Sequence, residues 1–194
     1  GASPAGRKGK FEICKNGTLF LDEIGDLPYS MQAKLLRALE KKEITRVGGH
    51  DLIKVDPRII SATHKDLQAM VAKKTFREDL YYRLNVVPIH IPPLRERGYD
   101  IIILARHFVK HFAKVHNKYL QGLTPECENL LMGYSYPGNI RELRNLIEYG
   151  VIFEKNVSLG VGNIIGKMSG DYRDKNLTLA EMTKNYERAK IGRA

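Results

Sequence analysis

Residues 17–24 read Gly17-Thr18-Leu19-Phe20-Leu21-Asp22-Glu23-Ile24. The apolar triplet Leu19-Phe20-Leu21 suits a strand buried in a parallel sheet. It runs into two consecutive acids, which are costly to desolvate, and ligands of α/β proteins bind at the carboxyl ends of their strands. A carboxylate at Asp22 has the chemistry to hold, through water, a Mg²⁺ that the phosphates of a nucleotide also bind, and Glu23 beside it has the chemistry to polarise an attacking water. A strand that merely ends in a polar turn would read the same way, so the surrounding pattern decides.

Working outward, the spacing predicts a helix over residues 30–42, capped by Ser30, with Met31, Leu35, Leu36 and Leu39 on one face. Residues 44–47 and 52–55 flank Gly48-Gly49 as in a hairpin. A second buried strand is expected over 58–63, a helix over 66–74 and a third strand over 86–91, and strands alternating with helices indicate an α/β layer. After Pro92-Pro93 the pattern turns helical. Residues 100–116 place Ile101, Ala105, Phe108, Val109 and Phe112 on one side, and Thr124 with Pro125 opens a second helix. Pro137-Gly138-Asn139 breaks the chain before a third at 140–153, and a further helix is expected over 179–193. The implied domains are 1–93, 94–155 and 156–194.

The chain has 194 residues, and 32 Lys and Arg against 22 Asp and Glu give a formal net charge of +10. Much of that excess sits at the ends, since residues 1–10 and 167–194 each contribute a net +3. Basicity is compatible with nucleic acid, nucleotide or acidic partners but does not choose among them. Cys14 and Cys127 are too few for a disulfide framework, and no apolar run reaches the ~18 residues of a spanning helix. A cytoplasmic protein without membrane attachment is expected. No Gly-x-x-x-x-Gly-Lys-Ser/Thr phosphate loop occurs. His107 and His111 are four apart, but Phe108 stands where a metalloprotease helix needs Glu. Arg106, Lys110, Lys114 and Lys118 form an i, i+4 row that reads as the solvated side of its helix.

Taken together, these residues resemble the AAA+ ATPase domain of bacterial enhancer-binding proteins, the NtrC-like activators of sigma-54 RNA polymerase. The resemblance is carried by Gly9-Lys10-Phe11-Glu12, residues 16–28, and Gln32-Ala33-Lys34-Leu35-Leu36-Arg37. It continues through residues 58–63 with Asp66-Leu67, Phe76-Arg77-Glu78-Asp79-Leu80-Tyr81-Tyr82-Arg83-Leu84, Pro92-Pro93-Leu94-Arg95-Glu96-Arg97 and residues 136–145. It implies a partial P-loop NTPase-like, three-layer α/β core followed by a helical lid. Asp22 and Glu23 match the Walker B pair, with Asp22 the metal ligand. Arg77 and Arg83 match the two fingers that reach a neighbouring subunit's ATP. His64 stands where the family usually has its sensor Asn, and Arg141 matches the sensor arginine of the lid. The implied cofactors are ATP and Mg²⁺. The implied partners are the sigma-54 RNA polymerase holoenzyme, further copies in a ring, a hexamer by the resemblance, and enhancer DNA through a C-terminal domain.

Besides His64, two features depart from the family pattern. Only Gly1-Ala2 remain of the GAFTGA loop, and Tyr136 replaces the usual Trp before Pro137-Gly138-Asn139. In the family's 5-1-4-3-2 sheet the chain supplies the strands matching 3, 4 and 5, without the central strand 1. The expectation is therefore an ATPase module of a sigma-54-dependent activator that remodels the closed promoter complex, in a fragment not competent alone. The alternative is a non-catalytic, truncated or degenerate regulator of the same family. Purified residues 1–194 should show no ATP turnover above background in a phosphate-release assay; robust turnover would sink the fragment reading.

Overall fold

A strand is held by its neighbours' hydrogen bonds, so the apolar run at residues 18–21 shows its place in the fold by what it pairs with. In a computed structural model of the chain, which describes residues 8–168, β1 (Thr18–Leu21) pairs in parallel with β4 (Arg58–Ser61), Leu19 opposite Ile59 and Phe20 opposite Ile60. Two compact units divide between Ile89 and His90. The fold class is α/β followed by a helical unit.

In the first unit, α1 (Lys10–Ile13) precedes β1, and a 3-10 turn (Ile24–Asp26) leads into α2 (Tyr29–Lys41). Pro28, not Ser30, is the N-cap of α2, so Ser30 falls within the first turn and offers no cap. The apolar stripe is also displaced from the expected one: Leu36 is buried and Leu35 and Leu39 half-buried, while Met31 is 43% exposed and Gln32 takes its place inside. The hairpin is shorter than expected. Only β2 (Glu43–Ile44) and β3 (Ile53–Lys54) pair, because Val47 and Leu52 find nothing to pack against. Arg46 leaves the ladder for Glu12 of α1, through Nε to Oε2 at 3.1 Å and a second guanidinium nitrogen to Oε1 at 2.7 Å. That fork holds the Glu12 carboxyl below the usual range.

α3 (Leu67–Ala72) is capped by Asp66, which accepts the Ala69 N–H at 3.0 Å, and α4 (Glu78–Leu84) follows. Leu36, Phe76 and Leu80 form the centre of this unit's core with Ile24, and Leu21 packs on it from β1. The opposite face of the ladder is open among the described residues, with Phe20 57% and Ile60 43% exposed, so β1 is buried on one side and not on two as its apolar run implied. Residues 86–91 form no strand, contrary to expectation. Val86, Val87, Ile89 and Ile91 are exposed, and no strand among the described residues lies beside them to complete a ladder.

The second unit is built on α5 (Asp100–Val115), reached through a 3-10 turn (Leu94–Glu96). β5 (Gly122–Leu123), α6 (Pro125–Gly133), α7 (Asn139–Phe153) and β6 (Ser158–Leu159) follow, with β5 parallel to β6. Thr124 caps α6 as expected, accepting the Cys127 N–H at 3.3 Å with Pro125 in the first turn. Burial pushes the Cys127 thiol up to about 12, which leaves it inert as a nucleophile. The core joins Ile101, Ala105 and Phe112 of α5 to Leu131 of α6 and Leu143 and Ile147 of α7. Gly150 of α7 lets the following chain lie close: a Cβ there would meet Ile164 Cγ2 at 2.6 Å and Leu159 Cδ1 at 2.8 Å.

The basic row of Arg106, Lys110, Lys114 and Lys118 is not wholly solvated, and Lys118 lies past the end of α5. Arg106 pairs with Glu128 at 2.7 Å. Lys118 donates to the carbonyls of Ile152 and of Glu154, the latter at 2.9 Å, closing the end of α7. Among the described residues no helix is long and apolar enough to cross a membrane. The expected helix over 179–193, the basic stretch at 1–7 and the Gly1-Ala2 remnant lie outside the described residues.

Glu154, 5% exposed, closes this unit. Its Oε1 accepts the N–H groups of Lys155 and Asn156 and the Asn156 amide, and its Oε2 accepts the Gly160 N–H at 3.0 Å and Asn163 Nδ2 at 2.9 Å. Burial pushes the carboxyl up, but the donors from Gly160, Asn156, Asn163 and Lys155 outweigh it and hold the group below the ordinary glutamate range. A lowered folded-state value contributes stability above the unfolded-state value and loses it as pH falls through the folded one. Glu154→Gln should cost about 2 kcal/mol at neutral pH in urea unfolding and flatten the acid limb of the stability profile.

Candidate functional site

Two backbone hydrogen bonds lock the ends of β1 and β4 together. Ala62 N–H donates to the Leu21 carbonyl at 2.9 Å, and Ile24 N–H donates to the Ala62 carbonyl at 3.0 Å. Asp22-Glu23 and Thr63-His64 therefore leave the two strands side by side. Asp22 Oδ1 accepts the Glu23 N–H at 3.1 Å, and Glu23 adopts a left-handed backbone, φ 50 and ψ 46. That conformation costs a residue with a Cβ about 1–2 kcal/mol and turns the Glu23 side chain away from the strand direction. Glu23 Oε2 meets His64 Nδ1 at 2.7 Å.

A second pair stands beside them. Lys65 contacts Asp26 as an ion pair, and that hydrogen bond holds the Asp26 carboxyl below the usual range. Glu23, Asp26 and His64 bring potential ligand atoms within 4.8 Å of one another. With the Lys65 ammonium already on Asp26, this set is an ion-paired network more than a cage for a cation. The exposed oxygens of Asp22, at the strand end, are the hard donors that suit Mg²⁺. Asp22 and Glu23 also rim a cleft of about 660 Å³ whose walls include Phe11, Phe20, Met31 and Leu35, with Lys34 as its cation.

Arg77 and Arg83 belong to the same unit at α4. Arg77 is the N-cap residue, its guanidinium forked onto Asp79 at 3.0 and 2.7 Å and its N–H bonded to Gln32 Oε1 at 2.8 Å. The fork holds the Asp79 carboxyl below its usual range. Arg83 donates to the Leu39 carbonyl at 3.1 Å. Asp22, Glu23 and His64 are thus brought together, while each arginine is held by other partners. Arg141 lies in the second unit, exposed in the first turn of α7, and makes no ion pair or side-chain hydrogen bond among the described residues. The turn before it is fixed by buried tyrosines. Tyr134 and Tyr136 meet edge to face at 4.9 Å, Tyr136 donates its hydroxyl to the Leu131 carbonyl at 2.8 Å, and Glu142 accepts the Gly138 N–H at 2.7 Å.

Sequence reasoning missed Asp26, Lys65, Asp79 and Gln32 as participants. Gln32 alone left a signal, a polar residue three, four and seven positions before Leu35, Leu36 and Leu39 on the buried stripe.

Residues 1–90 match the Sigma-54 interaction domain family, and residues 95–178 match the AAA+ ATPase lid domain family. Regulatory protein AtoC of Escherichia coli (strain K12) is 53% identical over 146 residues, 75% of this chain and 32% of AtoC. Nitrogen fixation protein AnfA of Azotobacter vinelandii is 53% identical over 145 residues, 75% of this chain and 27% of AnfA. The chain spans about a third of the length of such relatives. Crystal structures of NtrX from Brucella abortus are also similar: in complex with ADP, TM-score 0.78 at 33% identity over 96% of this chain and 45% of that one. In complex with ATP the TM-score is 0.76 at 34% identity, over 93% and 44%.

Gly25 separates the two strand ends. A Cβ there would meet Thr63 Oγ1 at 2.7 Å and the Lys65 side chain at 3.2 Å. Gly25→Ala should destabilise the first unit by about 1–3 kcal/mol and displace the His64 ring resonances in an NMR spectrum, where an unchanged His64 would contradict the geometry.

Proposed function

We propose, for a chain that belongs to the sigma-54 interaction family of AAA+ proteins with its AAA+ lid, that it is the hydrolytic module of a sigma-54-dependent transcriptional activator. The observation that carries this reading is the placement of Asp22 and Glu23 at the end of β1 with His64, from the end of β4, bonded to Glu23. The carboxyl ends of parallel strands are where an α/β sheet meets its ligands, and a carboxylate there can meet phosphates through a metal ion. NtrX, to which the chain is similar over part of that protein's length, is described with ATP and with ADP, which supports a nucleoside triphosphate as substrate here.

In this reading Asp22 holds Mg²⁺, which when bound supplies charge neutralisation at the phosphates. Glu23 orients the attacking water and accepts its proton. His64 holds the Glu23 carboxylate to one side through Nδ1, and the contact breaks or shifts with the charge at the γ-phosphate. Arg77 and Arg83 act across a subunit interface, neutralising charge that develops on the transferred group of a neighbour's ATP. Their cis partners are consistent with that role, since neither arginine is bonded to the acidic pair of its own chain. Arg141 reads the phosphates from the lid. Assembly as a ring, contact with sigma-54 polymerase and recruitment to enhancer DNA complete the activity of the whole protein in this proposal.

The test is kinetic. In a full-length sigma-54 activator bearing these residues, Glu23→Gln should leave ATP binding intact and lower kcat by about 10²–10⁴-fold. Arg77→Ala should lower kcat by about 10³-fold or more, and mixing with finger-intact, Glu23→Gln subunits should restore part of it. Absence of ATP hydrolysis in the unsubstituted full-length protein would favour the non-catalytic regulator instead.

A further inference from the structure

We propose that Gln32 is a positioning residue for Arg77: its buried amide sets the distance between the turn behind the acidic pair and the segment that presents the arginine. The inference rests on the reading of Arg77 as a finger. Gln32 is 0% exposed in the first turns of α2, on a stripe otherwise made of leucines. A primary amide has two N–H donors and a carbonyl oxygen, and all three directions are used. Nε2 donates to the Leu27 carbonyl at 3.0 Å and to the Thr75 carbonyl at 3.2 Å, and Oε1 accepts the Arg77 N–H at 2.8 Å. The orientation is dictated by the partners, because the flipped amide would set its oxygen against two carbonyls and its NH₂ against an N–H.

Each partner belongs to a different part of the site. Leu27 closes the turn Ile24–Asp26, whose first N–H is bonded to Ala62 at the end of β4, next to Thr63 and His64. Thr75 is anchored on α3, its N–H and hydroxyl both donating to the Met70 carbonyl, at 2.9 and 3.1 Å. Arg77 starts α4, and Asp79 fixes the guanidinium but not the backbone that carries it. Gln32 holds the Arg77 N–H, and the Arg77 carbonyl accepts the Tyr81 N–H at 3.0 Å within its own helix. A movement of the turn behind Glu23 is thereby carried through one rigid amide to the residue that reaches the next subunit. A leucine at this position would fill the space, but it would take away the side-chain partner of the Arg77 N–H and of two carbonyls.

Two measurements on the 194-residue chain test this. In hydrogen exchange, Q32L should speed exchange at the Arg77 amide about tenfold while α5 amides stay unchanged. In a complementation assay, the chain is added to a full-length relative whose own finger arginines are replaced by alanine. The wild-type chain should restore ATP hydrolysis and R77A should not. Q32L should lower the maximal restored rate about tenfold at an unchanged half-saturating concentration. Unchanged exchange at Arg77 in Q32L, or full rescue by Q32L, would overturn the proposal. No rescue by the wild-type chain would instead overturn the finger reading, while the exchange result still reports whether Gln32 holds Arg77.

Discussion

The parallel register of two four-residue strands is the constraint on which the first unit depends. Leu19 lies opposite Ile59 and Leu21 opposite Ser61, so Ala62 can give its N–H to Leu21 and take that of Ile24. Side-chain direction alternates along a strand, and a slip of one residue would turn Leu21 away from the core and carry His64 out of reach of Glu23. The crossing chains come so close at Gly25 that no side chain fits between them. Charge at the site follows from this backbone geometry: one acid meets a histidine, another meets Lys65, and Asp22 is left exposed toward solvent.

Polar groups buried inside apolar surroundings set the finer positions in both units. Gln32 and Glu154 are the buried polar and charged residues among those described, and each is saturated with hydrogen bonds. Each also joins segments that hydrophobic contact alone would leave free to slide, because apolar packing is non-directional. Leucines bring α2 and α4 together, whereas the Gln32 amide fixes where Arg77 begins. In the helical unit, α5 and α7 are joined by side chains such as Phe112 and Ile147, whereas Glu154 fixes the course of the chain after α7.

How far the sequence could be read depended on the range of the interaction involved. The β1 strand, the acidic pair, the Thr124 cap with Pro125 and the long α5 were legible because each rests on local periodicity or a local cap. Residues 86–91 were misread because alternating Val and Ile describe a strand only if a partner strand is present. Ser30 was misread because a serine near a helix start is a cap only in the right backbone conformation, and Pro28 holds that position. The family motifs pointed to Asp22, Glu23, His64, Arg77, Arg83 and Arg141, yet no local pattern could show that Glu23 turns toward His64, 41 positions away. The ion pair of Lys65 with Asp26 was hidden for the same reason, since neither residue is unusual until the strands are laid side by side.

Glu154 also shapes how the helical unit comes apart. Loops normally fray at lower free energy than the helices they follow, opening in small independent excursions. Here the donors of Lys155, Asn156, Gly160 and Asn163 converge on one carboxylate, and Lys118 grips the carbonyls of Ile152 and Glu154 from the other side. Releasing any part of that loop strands a buried negative charge, so the loop has no inexpensive partial opening of its own. Residues 154–163 and the end of α7 therefore form one cooperative element, with the local stiffness of the helix extended through a ten-residue segment that includes β6.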